Sequence, residues 1–586
     1  MSSNYSMIKI AYRNIYEYFK KAKIYGILEQ SSFFLRTLFF YINIQVIEIL
    51  FDNIQANKSV DVIIYSLLMI GTFKIVSEIL TLISKYLMVK NSYSNMGKFM
   101  VDFQNKLSRV EPYNFEDTKF LDNINRIKEC LEYESLGHFA TNCIQIILYY
   151  TSIIIFTVYY LYNLYPVLTL IVVFAFVPTI MNHTLNIKMF ENFENNTIPI
   201  RRQADTYKKY IVNRKYFKET RLLGIFSFFY KRYVVLLDRI YIEQWKVSKK
   251  IFVSHMAISI VSVSGLVFSI LILLYVTINC FISIGEFATV FFLLSQFFST
   301  IEELVQGKLT DFLETYVQVK NFYQFMDMEE KSNLSKEGDI AEGIIANNIY
   351  FGYPNKEKDT INGINIKLES NKVYALVGPN GSGKTTLSKL LLGIYVPKKG
   401  EISVFGRDTK KYRDYDLYDN STAVFQDFQK YKMSLAENVT ISIADSYIDE
   451  MKIRENLNKT GFTKNIQLNQ ILSPEFDGID LSGGEWQRIA ITRAIHRKHE
   501  LIVLDEPTSA IDPIEEDKLY EYFRTFSKNK ISLIVTHRLA SAKLADEIIV
   551  MNEGRIVETG SHEQLLNKKS FYYDMWQKQE TLYKKL

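Results

Sequence analysis

The sequence predicts two folds in series: an all-α domain of six transmembrane helices, followed by an α/β P-loop domain. Three observations carry this. Apolar runs long enough to cross a bilayer are confined to the first half. The long segments between some of them are rich in Lys and Arg. Further on, strand-like VYALVG runs into GPNGSGKTT and then into helix-like LSKLLLG. A chain of 586 residues also exceeds one compact domain.

A helix needs about 20 apolar residues to span a bilayer. Six segments qualify, near 26–51, 61–88, 140–163, 167–187, 251–277 and 286–307. The third and fourth are separated by NLYP, a tight turn at Tyr165-Pro166, and the fifth and sixth by INCFISIGE. Stretches such as ILYYTSIIIFTVYYL are apolar all round, with no face for water. The intervening 89–139 and 188–250 read as long polar loops. They carry 22 Lys and Arg, against Lys58 alone in the short connectors, so they and both termini are expected on the cytoplasmic side. The expected domains are 1–328 in the membrane, a linker at 329–340 marked by EEKSNLSKEGD, and 341–586. No cleavable signal peptide is expected, because the first 25 residues are polar, basic and aromatic.

Arg36, Glu48, Lys74 and Glu78 fall within spans, where a charge costs about 2.5–3.5 kcal/mol by insertion scales unless solvated or paired. Lys74 and Glu78, at i,i+4, can pair on one helix face. Two readings stay open: a polar translocation cavity touching substrate, or structural pairing between helices. Pro178 reads as a kink. Cys130, Cys143 and Cys280 are odd in number and in no metal-ligand spacing, which points to inert thiols.

In the second half, strand, G-x-x-x-x-G-K-T and helix form the context of a phosphate cradle. Gly378, Pro379, Asn380, Gly381, Ser382, Gly383, Lys384, Thr385 and Thr386 make the loop. Its backbone N–H groups close on phosphates, Lys384 is expected to reach the β- and γ-phosphates, and the Thr385 hydroxyl to ligate Mg²⁺. Downstream, LIVLDEP is a buried-strand pattern ending in two carboxylates. Asp505 is placed to hold the metal, and Glu506 to act as base for the attacking water. At 480–488, DLSGGEWQR opens a helix on Ser482, Gly483 and Gly484, a second start suited to phosphate.

The order GPNGSGKTT, VFQDF, LSGGEWQR, LIVLDEPTSAID and IVTHR resembles the nucleotide-binding domain of an ABC transporter, and six spans ahead of one such domain resemble the half-transporter arrangement of type I ABC exporters. The resemblance implies that Gln426 contacts Mg²⁺ and the membrane domain, that His537 contacts the γ-phosphate, that Tyr353 stacks on adenine, and that Asp512 belongs to the D-loop. It implies ATP and Mg²⁺ as cofactors. It also implies that two nucleotide domains meet head to tail, so that Ser482 and Gly484 cap ATP held by a partner. With Glu506, His537 and the signature intact, the partner is expected to be a second copy of the chain. Glu485 stands where Gln is commoner in the family. EPYNFEDTKFLD at 111–122 and ETRLLGIFSFFYKRY at 219–233 resemble the stretches that couple the two domains near the Q-loop.

For substrate, VFQDFQKYKMSLAENV and PEFDGIDLSGGEWQRIAITRAI resemble exporters of ribosomally made peptides, such as lantibiotic and lasso-peptide transporters. With about 25 residues ahead of the first span, no papain-like leader peptidase is expected. Multidrug export, lipid flipping, and a nucleotide-gated channel or regulatory subunit are the alternatives. No nucleic-acid partner is expected, since the spans exclude a soluble member of the family. Abundant Ile, Lys, Asn, Tyr and Phe suggest an AT-rich bacterial genome, and hence the bacterial cytoplasmic membrane.

Overall fold

The computed structural model describes residues 6–584 apart from 280, 331–342, 355, 413–417, 444–448, 508–522, 524–526 and 528; the side chains of 175–188 and a few other helical positions are also left aside. Cys280, Asp512 and most of the expected linker thus lie outside the described residues, as does the side chain of Pro178. The chain forms two compact units, 1–105 with 123–328, and 106–122 with 329–586. Residues 106–122, which lie within the first domain by sequence, belong to the second unit.

The first unit is helical. Its elements are α1 (Met7–Ala22), α2 (Ile24–Gln55), α3 (Val60–Leu107), α4 (Thr118–Glu132), α5 (Ser135–Gln145), α6 (Thr151–Leu164), α7 (Pro166–Val212), α8 (Arg214–Leu222), α9 (Phe226–Ile278), α10 (Ile284–Glu302) and α11 (Leu309–Met326). Among the described residues five helices are long and apolar enough to cross a membrane: Ile24–Gln55, Val60–Leu107, Ser135–Leu164, Phe226–Ile278 and Ile284–Met326. The fourth expected span, 167–187, lies in α7, which runs unbroken past position 178.

The reading of 89–139 and 188–250 as loops is corrected here. They are mostly helix: α3, α7 and α9 have 48, 47 and 53 residues. At 1.5 Å per residue each is about 70–80 Å long, more than twice a hydrocarbon core. Polarity was taken for irregularity, yet the apolar residues keep a helical period beyond the spans. Phe99 and Phe103, at i,i+4 on α3, are both buried. Their rings meet those of Phe322 and Phe325 on α11 at 6.0 and 5.2 Å.

At one end of the bundle, α2 meets α10 through charge. Asp52 Oδ1 accepts from the Gly285 N–H at 3.2 Å and from the Ser283 hydroxyl at 3.0 Å. A Cβ at Gly285 would sit 2.1 Å from that oxygen, so only glycine permits the approach. Ser283 and Glu286 close a capping box that starts α10. Below it, Ile44, Leu161, Leu273, Leu294 and Phe297 form a dry core. Helices α7 and α9 pack chiefly on each other. Cys130 is fully buried, which pushes its thiol up to about 12 and leaves it unreactive.

The second unit has two sheets. β1 (Ile344–Phe351), β2 (Ile361–Leu368), β4 (Lys399–Val404) and β5 (Arg407–Asp408) form an antiparallel sheet in the order β2-β1-β4-β5. A six-stranded sheet has the order β10-β9-β3-β8-β7-β6, from β3 (Lys372–Val377), β6 (Ser421–Val424), β7 (Leu501–Asp505), β8 (Ile531–Val535), β9 (Glu547–Asn552) and β10 (Arg555–Gly560). Strands β9, β3, β8, β7 and β6 run parallel. Every residue of β7 and β8 is buried, the continuous apolar pattern of a sheet covered on both faces. Helix α12 (Lys384–Leu391) covers it with Leu387, Leu390 and Leu391. Ligands in such sheets bind at the carboxyl ends of the strands, where β3, β7 and β8 finish together.

The Phe103 contact is testable. Phe103→Ala, which empties a site 1% exposed, is expected to destabilise the helical unit by about 3–5 kcal/mol. Phe103→Leu, which keeps most of the volume, should cost about 1.5 kcal/mol or less. Thermal unfolding of the detergent-solubilised chain reads both; equal midpoints for all three proteins would contradict the packing.

Candidate nucleotide site

Three strand ends build the site. Strand β3 delivers the loop 378–386, whose glycines take conformations barred to other residues: Gly378, Gly381 and Gly383 have φ of 152°, 80° and 100°. A Cβ on Gly378 would lie 2.2 Å from the Met551 carbonyl. The turn ends at Lys384, the first residue of α12, so the helix N-terminus opens onto the loop. The Lys384 ammonium folds back and donates to the carbonyls of Gly378 and Pro379 at 2.9 and 3.0 Å. Burial pushes it below the ordinary lysine range, opposed by the charges of Glu506 and Asp505. The Ser382 hydroxyl is buried with no hydrogen-bond partner among the described residues. A cradle with left-handed glycines, a buried cation and an unsatisfied hydroxyl fits a phosphate chain.

Strand β7 delivers the carboxylates. Asp505 is 3% exposed. Burial raises it above the usual carboxylate range, while a hydrogen bond with Thr385 pulls the other way. Thr385 and Asp505 thus stand together beside the loop, a hydroxyl and a carboxylate of the hard-oxygen type that suits Mg²⁺. Glu506, one residue past the strand, has φ of 50°, a strained geometry for a residue with a Cβ. Its backbone N–H is anchored on the Val535 carbonyl of β8 at 2.9 Å. Gln426, beyond β6, donates to Glu506 Oε2 at 2.8 Å. His537, beyond β8, places Nδ1 2.9 Å from Glu506 Oε1, which requires the proton on Nδ1. Both carboxylate oxygens are therefore oriented from opposite sides.

Tyr353 completes the mouth. Its hydroxyl lies 3.1 Å from the Thr386 hydroxyl, and its ring meets Phe351 and Tyr395 edge-on at 5.4 and 5.9 Å. A cavity of about 450 Å³ is lined by Tyr353, Asn380, Lys384, Gln426, Glu506 and His537 among others. Eleven of the sequence-predicted site residues (378–386, Asp505 and Glu506) thus converge with Gln426, His537 and Tyr353.

Ser482, Gly483 and Gly484 do not line this cavity. Ser482 caps helix Gly483–His496, and both Ser482 and Gly483 are exposed. The placement of Glu485 is resolved here. Its carboxylate accepts from the Ser482 N–H at 2.7 Å and pairs with Lys464 at 3.3 Å, closing a capping box. Partial burial raises the carboxyl, but the Ser482 N–H and Lys464 outweigh it and hold Glu485 below the usual range. The charge is turned back along its own helix.

Residues 111–122, expected near the Q-loop, belong to the nucleotide unit and line a cavity with Gln426; what the sequence did not give is their partners. The Tyr113 hydroxyl donates to the Gly352 carbonyl at 3.3 Å, and its ring sits 5.6 Å from Phe351 and 6.5 Å from Tyr395. Glu116 accepts from the Tyr395 hydroxyl and lies 4.0 Å from Lys389 on α12. Pro112 and Glu116 share a cavity of about 770 Å³ with Gln426, Thr385 and Asp505. The stretch 219–233 spans the end of α8, a turn at Gly224 (φ 63°) and the start of α9.

With this geometry in view, the likenesses to known proteins are specific. Residues 361–509 match the family model described as ABC transporter. The chain is 29% identical to the subtilin transport ATP-binding protein SpaT of Bacillus subtilis over 552 residues, 90% of this chain and 87% of that one. It is 32% identical over 301 residues to an ATP-dependent lipid A-core flippase of Haemophilus ducreyi, 50% of this chain and 51% of that one. A bacterial Atm1-family ABC exporter solved with ATP bound superposes with a TM-score of 0.76 at 16% identity, covering 96% of this chain and 98% of that one. The chain carries an ABC transporter ATP-binding domain behind a helical membrane domain.

The capping box yields an expectation. Glu485→Gln closes the same box, so helix stability should stay within about 0.5 kcal/mol. Glu485→Ala removes the return bond to the Ser482 N–H while the Ser482 cap stays, and should cost about 0.5–1.5 kcal/mol, the net worth of one hydrogen bond. Thermal unfolding compares the two; equal loss in both would mean the Lys464 ion pair, not the cap, is what matters.

Proposed function

We propose that this ABC-type transport ATPase exports a ribosomally made, modified peptide across the bacterial cytoplasmic membrane, working as a dimer of two copies with both termini in the cytoplasm. The supporting observation is the extent of similarity. The relative named for subtilin transport aligns over 90% of the chain, so the likeness runs through the membrane helices where cargo is met. The flippase alignment covers half. ATPase stimulation in nanodiscs, screened with modified peptides, lipids and drugs, tests this. Stimulation by lipid alone would favour the second reading, a flippase.

ATP would lie with its phosphates on 378–386 and its adenine against Tyr353, whose hydroxyl must then release Thr386. The Lys384 ammonium, held at 2.9–3.0 Å by two loop carbonyls, is free to turn to the β- and γ-phosphates. Thr385, Gln426 and Asp505 would hold Mg²⁺, which supplies neutralisation of phosphate charge. Glu506 takes the proton of the water that attacks the γ-phosphorus as the bond to the leaving ADP oxygen breaks. Gln426 and His537 hold its two oxygens in this structure, and with ATP bound His537 would leave Glu506 for the γ-phosphate.

Dimerisation follows from what one copy lacks. Ser482 is exposed and Gly484 half-buried, and neither lines its own chain's cavity, so they are suited to cap the ATP of a partner. The arm made by α7 and α9, packed chiefly on itself with Tyr241, Trp245, Phe252 and Met256 exposed, is suited to be covered by that partner.

Two experiments probe these roles. Glu506→Gln should bind ATP yet lose about 10²–10⁴-fold in turnover, since an amide cannot accept the proton; turnover within about twofold of wild type would remove it from the role. Lys384→Ala and Ser482→Arg should each be inactive alone. Mixed, they form heterodimers with one intact composite site and should regain part of the ATPase activity. A mixture as inactive as its parents, with heterodimers shown by tandem tags, would sink the shared site.

A further inference from the structure

Two π-helical turns touch inside the helical unit: Ile146–Tyr150, between α5 and α6, and Glu303–Lys308, between α10 and α11. Such turns are rare, give up regular hydrogen bonding and gather at functional sites, because they re-aim side chains. The first turn buries Tyr149 and Tyr150 with rings 4.9 Å apart and nearly perpendicular, packed with Phe40, Tyr41 and Leu304. Arg36 of α2 lies 5.4 Å over the Tyr149 ring. Glu303 opens the second turn, interacts with the Tyr150 hydroxyl and stays exposed. No ion pair between Arg36 and Glu303 occurs among the described residues. Measured from the Asp52–Gly285 contact, Arg36 and Glu303 lie at nearly equal depth, about 24 and 27 Å along their helices.

The other intramembrane charges are settled differently. Glu48 accepts from the Tyr160 hydroxyl at 2.7 Å. Lys74 pairs with Glu78 on its own helix at 3.8 Å, with both side chains more than 60% exposed. An ionisable group held in a membrane marks a path for substrate or ion, and its natural counterpart is the opposite charge. Glu303 is such a group: an exposed carboxylate at the lip of an aromatic pair, whose phenol partner does not neutralise it. Arg36, over the Tyr149 ring, repels a cation there and leaves Glu303 as the attractive group.

We propose that Glu303, with Tyr149, Tyr150 and Arg36, forms a cargo subsite that takes a cationic group of an amphipathic peptide beside an apolar side chain. The carboxylate receives the ammonium or guanidinium, and Ile147 and Leu148, exposed on the same turn as the buried tyrosines, offer apolar surface to the neighbouring side chain. The peptide class rests on the function proposed above; the cation preference rests on the four side chains alone.

The test uses the full chain in nanodiscs and three probes: a synthetic amphipathic peptide with one Lys, the same peptide with that Lys acetylated, and tetraphenylphosphonium. In Glu303→Gln the half-maximal concentration of the Lys peptide for ATPase stimulation should rise about tenfold, as for loss of one charge-assisted contact. The acetylated peptide should act equally on wild type and variant. Lys74→Gln with Glu78→Gln, a charge change at comparable depth, should leave the half-maximum of the Lys peptide where it was. Equal half-maxima in wild type and Glu303→Gln overturn the subsite. If no peptide stimulates wild type but tetraphenylphosphonium does, and Glu303→Gln weakens it, the peptide reading falls and the subsite stands. If neither cation stimulates wild type, the subsite falls too. Should Glu303→Gln not accumulate, Glu303→Asp keeps the charge, shortens its reach and should still raise the half-maximum several-fold; no rise counts against the subsite.

Discussion

Buried charge at the carboxyl edge of the six-stranded sheet is the constraint on which the nucleotide unit depends. Lys384, Asp505 and Glu506 are drawn together where β3 and β7 end, in a place water reaches poorly. Burial disfavours the charged forms of Lys384 and Asp505, and fixed dipoles and opposite charges work against it. Two loop carbonyls answer Lys384, Thr385 answers Asp505, and Gln426 and His537 answer Glu506. Strands buried on both faces make this affordable, because a rigid, dry platform can hold Glu506 at a positive φ that a looser sheet would relax.

The parts of this arrangement that were legible in the sequence are those set by contiguous residues. Glycines at 378, 381 and 383, Lys384 after them, and two carboxylates closing an apolar run are dictated by backbone geometry within a few positions. Glu485 carried a local signal that the sequence reading did not use: S-x-x-E at 482–485 is the pattern of a capping box, and the structure closes it. What was not legible came from distance or from averaging. Tyr113, Phe351 and Tyr395 meet although far apart in the chain, and no local pattern joins them. Glu303 sits at the edge of an apolar window that masks it. The extents of α3, α7 and α9 were missed because polarity was read as the end of a helix, when only the solvent had changed.

The same logic ties the stretch 106–122 to chemistry. Glu116 faces Tyr395 and Lys389, and Lys389 stands five residues along the helix that Lys384 begins. A helix of eight residues moves as one body, so a shift at its phosphate-facing start is carried to the seat of Glu116 without any intervening loop. Phe351 stacks on Tyr395 at 5.1 Å and meets Tyr353 edge-on, which brings the aromatic proposed to meet adenine to the same seat. Both ends of a bound nucleotide would therefore press on one cluster. Tight packing of such a cluster leaves it few arrangements, and it responds by shifting as a unit rather than by yielding gradually.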